Sequence, residues 1–132
     1  MRSVEVERYG GPDELRIVES SVPQPGRGEV LVQLALAGVN FIDIYMRDGS
    51  YARSHTYQTP LPLRLGMEGA GTIAALGADV SDFSLGQRVA YCLSRGAYAD
   101  YAVVPAWKRV PVPEGRPLPI ATALMLQGST AH

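Results

Sequence analysis

Apolar and polar positions alternate with a period of two along most of this chain, the spacing of half-buried strands. Val4 and Val6, then Leu15 and Ile17, alternate on either side of Tyr9-Gly10-Gly11-Pro12-Asp13, which predicts a hairpin. Breakers crowd Val22-Pro23-Gln24-Pro25-Gly26-Arg27-Gly28, a loop. In the run 29–36, Val30, Val32, Leu34 and Leu36 share one face, and Leu31, Ala35 and the following Ala37 take the other. A strand apolar on both faces is expected at the centre of a sheet. A helix-like turn follows at 40–47, then a long connection, 48–65, whose length makes it a candidate functional loop. Residues 69–77, 87–92, 98–104 and 107–113 read as further strands, the last with proline at its edge. Short strands about 8–12 residues apart predict a mainly β domain, a small barrel or sandwich. Ile120-Ala121-Thr122-Ala123-Leu124-Met125-Leu126 changes character and reads as a helix running toward His132.

Composition narrows the class. With 132 residues, 46% hydrophobic and 19% charged, the chain fits one ordinary globular domain. A net charge of −1 gives no reason to expect nucleic acid or an anionic membrane as partner. The segment Met1–Glu7 alternates like a strand and has no apolar signal-peptide core, and no apolar run reaches transmembrane length, so a cytoplasmic location is expected. The single cysteine, Cys92, excludes a disulfide framework and a cysteine-rich zinc site, and reads as a small buried hydrophobe. His55 reads as a loop residue, and the two histidines form no helical ligand pair.

The most informative stretch is Ala37–Tyr45, where a strand gives way to a helix. Asn40 and Asp43 stand three apart, the spacing of an N-cap and a first-turn carboxylate. That is a structural reading, and strand-to-helix junctions also carry chemistry. Gly69-Ala70-Gly71-Thr72-Ile73-Ala74 satisfies the G-x-G-x-x-A dinucleotide pattern, but no apolar strand leads in and no helix follows. It is read as a glycine-loosened strand.

Four motifs, Pro25–Val32, Gly38-Val39-Asn40-Phe41-Ile42-Asp43, Gly66-Met67-Glu68-Gly69-Ala70-Gly71 and Gly86-Gln87-Arg88-Val89, occur in the order and spacing of the medium-chain dehydrogenase/reductase superfamily. The chain most resembles its zinc-independent quinone oxidoreductase, or zeta-crystallin-like, branch. The resemblance implies a GroES-like, partly open β-barrel with short helices over 1–119. Residues 120–132 would begin the helix leading into an α/β Rossmann domain that this chain does not contain. Zinc members of the superfamily carry a cysteine where this chain has Asn40, a histidine at Met67 and a further ligand near Leu126. The amide, thioether and alkyl groups here do not supply zinc's preferred donors, so no zinc is expected. Glu68 is then expected to cap or hydrogen-bond nearby backbone.

The resemblance further implies NADPH as cofactor and a quinone or enone as substrate. Asn40, Phe41, Ile42, Asp43 and Ile44 would face the nicotinamide end of NADPH, with Thr130 close to it. Tyr45 and Tyr51 would wall the acceptor and donate to its carbonyl, and packing alone is the simpler alternative for both. The full-length protein would be a homodimeric NADPH:quinone oxidoreductase, and the 132-residue chain alone would be inactive. The alternative is a free-standing GroES-like binding or assembly module without catalysis.

Overall fold

Every strand pairing in the computed structural model, which describes all 132 residues, is antiparallel. Strand β1 (Arg2–Val6) pairs with β2 (Arg16–Glu19) in the register Val4–Ile17, the hairpin that the alternation predicts. A 3-10 turn at Pro12–Glu14 closes it. Strand β3 (Glu29–Ala37) lies between β5 (Glu68–Leu76) and β7 (Tyr101–Pro105), with β6 (Arg88–Cys92) and β8 (Arg109–Pro111) beyond β5. Helix α1 (Phe41–Asp48) follows β3, and α2 (Leu118–Ala131) packs over β5 and β6.

The two sheets are not separate. The backbone of Val4 donates to Tyr98, and that of Asp100 donates to Arg2, so β1 joins the strand entering β7. The fold is therefore mainly β, the GroES-like barrel expected, left partly open. The main core gathers Val30, Val32, Ile73, Val89, Tyr91 and Val104. A second core of Val6, Met46, Leu63, Leu65 and Met67 sits under α1. Burying a branched side chain fully is worth about 1.5–3 kcal/mol, so each cluster is a substantial anchor.

Several expectations are corrected. Strand β3 is central, but only Val30, Leu31 and Val32 are buried, and from Leu34 onward its residues are partly or fully exposed. The stretch 48–65 is not all loop: Leu63–Arg64 forms a short strand, β4, on the open edge of β1. The segment 107–113 is split, because a 3-10 turn at Ala106–Lys108 precedes β8. Helix α2 starts at Leu118 and takes in Pro119, which the first helical turn tolerates because its N–H needs no partner there. Cys92 is half-buried, and desolvation, with Glu68 near it, pushes its thiol pKa up. His55 is exposed in its loop.

The glycines of the 69–74 motif serve strand packing. A Cβ on Gly71 would stand 1.9 Å from the backbone oxygen of Gln33 in β3. Backbone cannot yield as a side-chain tip can. Gly71→Ala should cost about 3 kcal/mol or more, while Gly11→Ala, with nothing within 4 Å, should be near neutral. Urea unfolding midpoints of the two variants test this.

Candidate functional site

The junction of β3 and α1 is built around two buried carboxylates. Asn40 is extended (φ −132°, ψ 156°) and caps α1. Asp43, at the third helical position, reaches back so that its Oδ2 accepts the Asn40 backbone N–H at 3.0 Å. The same oxygen accepts the Tyr98 phenol at 2.6 Å. Asp43 is only 5% exposed and its Oδ1 has no hydrogen-bond partner. Burial raises its carboxyl pKa, the bonds from Tyr98 and Asn40 pull it down, and nearby Glu68 raises it further. Tyr98, desolvated and facing Asp43, has its phenol pKa pushed well up and stays a donor.

Glu68, 2% exposed at the start of β5, is the second carboxylate. Its Oε1 accepts the Asn40 side-chain N–H at 3.1 Å, and its Oε2 accepts the backbone N–H of Leu126 in α2 at 2.5 Å. It ties the β3–α1 turn to α2. A carboxylate only accepts, so the amide of Asn40 must present nitrogen to it, which fixes the orientation of that side chain. Gly38 makes the approach possible: a Cβ there would overlap Glu68 Oε1 at 1.9 Å.

The predicted cofactor-facing residues divide by helical geometry. Ile42 and Asp43 turn inward with Met46, Ile42 packing on the second core. Phe41 (76% exposed), Ile44 and Tyr45 face outward, and Asn40 is half-buried between the two sets. Thr130 is exposed on α2, and its hydroxyl donates to the carbonyl of Leu126, the residue whose N–H binds Glu68. The two predicted tyrosines meet: the rings of Tyr45 and Tyr51 lie edge to face at 5.8 Å. Tyr51 in turn stacks at 5.1 Å on Tyr57. Tyr57 lines a cavity of about 930 Å³, together with Met46, Met67, Leu93 and Ser94. Tyr45 and Tyr51 themselves do not line it.

Positions 40, 67 and 126, where a metal would need ligands, carry an amide, a thioether and an alkyl group, and Glu68 is committed to hydrogen bonds. No group of three or more His, Cys, Asp or Glu side chains is placed to hold a metal ion. The sequence profile of the alcohol dehydrogenase GroES-like domain matches residues 26–114. The chain belongs to that family.

Relatives of this GroES-like domain include a probable quinone oxidoreductase of Schizosaccharomyces pombe, 40% identical over 98% of this chain and 38% of that protein. A 2-haloacrylate reductase of Burkholderia is 36% identical over 96% of this chain and 38% of that protein. The crystal structure of Escherichia coli quinone oxidoreductase complexed with NADPH superposes with a TM-score of 0.90 at 34% identity. It covers 98% of this chain and 39% of that one, so the chain spans about two fifths of the proteins it matches. No helix of the domain is long and apolar enough to cross a membrane.

Sequence reasoning missed Tyr57 and Tyr98, and gave Glu68 no particular donors. Tyr98 lies 55 residues from Asp43, a distance that no local pattern bridges. Three tyrosines within 45–57 were the one available hint of an aromatic stack.

Two measurements test this geometry. Gly38→Ala should dislodge Glu68 and cost about 2–3 kcal/mol, yet cost almost nothing in a Glu68→Ala background. Additive losses in a double-mutant cycle of unfolding free energies would refute the coupling. The second concerns pH. The folded form binds the Asp43 proton more tightly than the unfolded chain does. This group therefore removes stability as pH rises from the ordinary aspartate value of 3.8 to its raised folded value. Tyr98 opposes that loss by binding the charged form. Tyr98→Phe should cost about 1–3 kcal/mol at neutral pH and less at a pH where Asp43 is protonated, read from urea midpoints across the range.

Proposed function

We propose that this domain is the acceptor-side part of an NADPH-dependent reductase of quinones or conjugated carbonyls that works without zinc. The observation that carries the reading is the Glu68 bridge. At two of the three positions matched to zinc ligands, Asn40 and Leu126, this chain places groups that donate hydrogen bonds to Glu68, and the third is the thioether of Met67. The E. coli neighbour was crystallised with NADPH, and the relatives are named for quinones and 2-haloacrylate, an activated alkene.

The residues here fit the nicotinamide end of such a cofactor, which supplies the reducing equivalent when bound. Asn40 offers a fixed amide, Phe41 and Ile44 an exposed apolar edge, and Thr130 a hydroxyl near the same bridge. Asp43 and Ile42 act from behind by holding the turn rigid. Tyr45 and Tyr51 offer aromatic faces to a flat acceptor, and a phenol that hydrogen-bonds its carbonyl oxygen as charge develops there. A positioned site of this kind acts mainly through orientation.

Helix α2 supports a further domain. Its first half carries almost no polar side chains, yet Ile120 and Leu124 are more than half exposed, a pattern expected of a helix covered from outside. We therefore place the domain boundary near residue 119, with 120–132 leading to a nucleotide-binding domain and a homodimeric whole. The free-standing binding module leaves that face uncovered.

The full-length protein should reduce 1,4-benzoquinone with NADPH, and the rate should survive chelator dialysis. The 132-residue chain alone should turn over nothing. Tyr51→Phe should lower kcat about 10–100-fold with little change in NADPH affinity. Stoichiometric zinc by elemental analysis, or an unchanged kcat in Tyr51→Phe, would count against the reading.

A further inference from the structure

The cavity lined by Tyr57 carries unpaired cations that the reaction class does not explain. One wall is apolar and aromatic, formed by Tyr57 and Met67. Ser54 holds Tyr57 in place, its hydroxyl accepting the Tyr57 backbone N–H at 3.0 Å. The lining also takes in the loop after β6, where Leu93 adopts a left-handed φ of 59°, a conformation unfavourable for a leucine. It is fixed from both sides: the Leu93 N–H donates to Met67 at 2.7 Å, and Lys108 Nζ donates to the Leu93 carbonyl at 2.5 Å. Strained backbone held this firmly tends to mark a ligand-shaping segment.

That loop brings charge into the cavity. Lys108 and Arg95 both line it, and Arg95 follows two residues after Leu93, whose carbonyl Lys108 grips. Neither lies within ion-pair distance of a carboxylate. The acidic residue lining the cavity, Glu5, is already paired with Arg64 at 2.7 Å. Ser94, 9% exposed and next to Arg95 in the chain, lines the cavity and makes no hydrogen bond to the protein through its hydroxyl. One Lys108 proton serves Leu93, which leaves two, and all five Arg95 donors are free. Unmatched donors of one sign gathered around the 93–95 segment suit an anion.

We propose that this cavity takes the carboxylate arm of acceptors whose flat conjugated part lies against Tyr51 and the Tyr57 ring stacked on it, with the carboxylate held by Arg95, Lys108 and Ser94. The proposal rests on the reductase reading for the word acceptor, and its binding test does not depend on turnover. Calorimetry on the full-length protein would compare benzylideneacetone with its 4-carboxy derivative. The acid should bind at least ten-fold tighter at about 20 mM salt, and the gap should shrink as salt rises to about 500 mM. Arg95→Gln, an exposed substitution that leaves the fold intact, should remove most of the gap. Equal affinities for the two probes, or a preference that survives Arg95→Gln and high salt, would overturn the proposal. If the acid binds as expected but neither probe is reduced with NADPH, the pocket stands and the proposed reaction falls instead.

Discussion

A carboxylate buried at the start of a central strand is the constraint around which this domain is arranged. An ion inside protein costs several kcal/mol unless hydrogen bonds replace its water. Glu68 recovers that cost from an amide on one element and a helix N–H on another, so the turn after β3 and the seat of α2 are set by the same group. The consequences spread outward. Position 38 must be glycine because the carboxylate occupies the space of its Cβ. Asn40 has one orientation. A second carboxylate, Asp43, is brought close enough for Glu68 to disfavour its charge, and Tyr98 is recruited to offset that.

How much of this could be read from residues alone follows from the range of each interaction. The alternation at 2–6 and 16–19 and the two apolar faces of 29–36 are local, and they yield a hairpin and a central strand. The spacing of Asn40 and Asp43 is local too, and the carboxylate reaches back as an N-terminal cap should. What the spacing could not say is that Asp43 points into the protein. That depends on Tyr98, delivered by the segment that leads into β7. The same holds for Leu63–Arg64, two residues that pair only because β1 leaves an open edge. Glycine at 71 looked like part of a nucleotide motif. Its reason is a neighbouring strand's carbonyl, which sequence pattern cannot display.

The aromatic stack shows a similar limit from the other side. Tyr45 sits on α1, while Tyr51 and Tyr57 come from the connection after it. The helix gives Tyr45 an outward direction by its period, whereas Tyr57 is placed by a serine turn three residues earlier. Rings at 5–6 Å in tilted and edge arrangements gain about 0.5–1.5 kcal/mol per contact beyond the area they bury. That is enough to order an irregular segment against a rigid helix. An ordered loop can then present one ring to the turn and another to the cavity, so the two surfaces are joined through Tyr51.

The charge around the cavity must also be explained within a chain of net charge −1. Cations on the surface are usually solvated and contribute little. Lys108 differs because part of its hydrogen bonding is committed to the carbonyl of a strained residue, so its ammonium cannot wander to a distant carboxylate without releasing Leu93. The acidic residue that lines the cavity is meanwhile held by Arg64. A fold that neutralises its own acid there, and anchors a cation without pairing it, keeps a positive potential at that end of the cavity. The potential is fixed by backbone geometry more than by overall charge, which is why neither composition nor net charge reveals it.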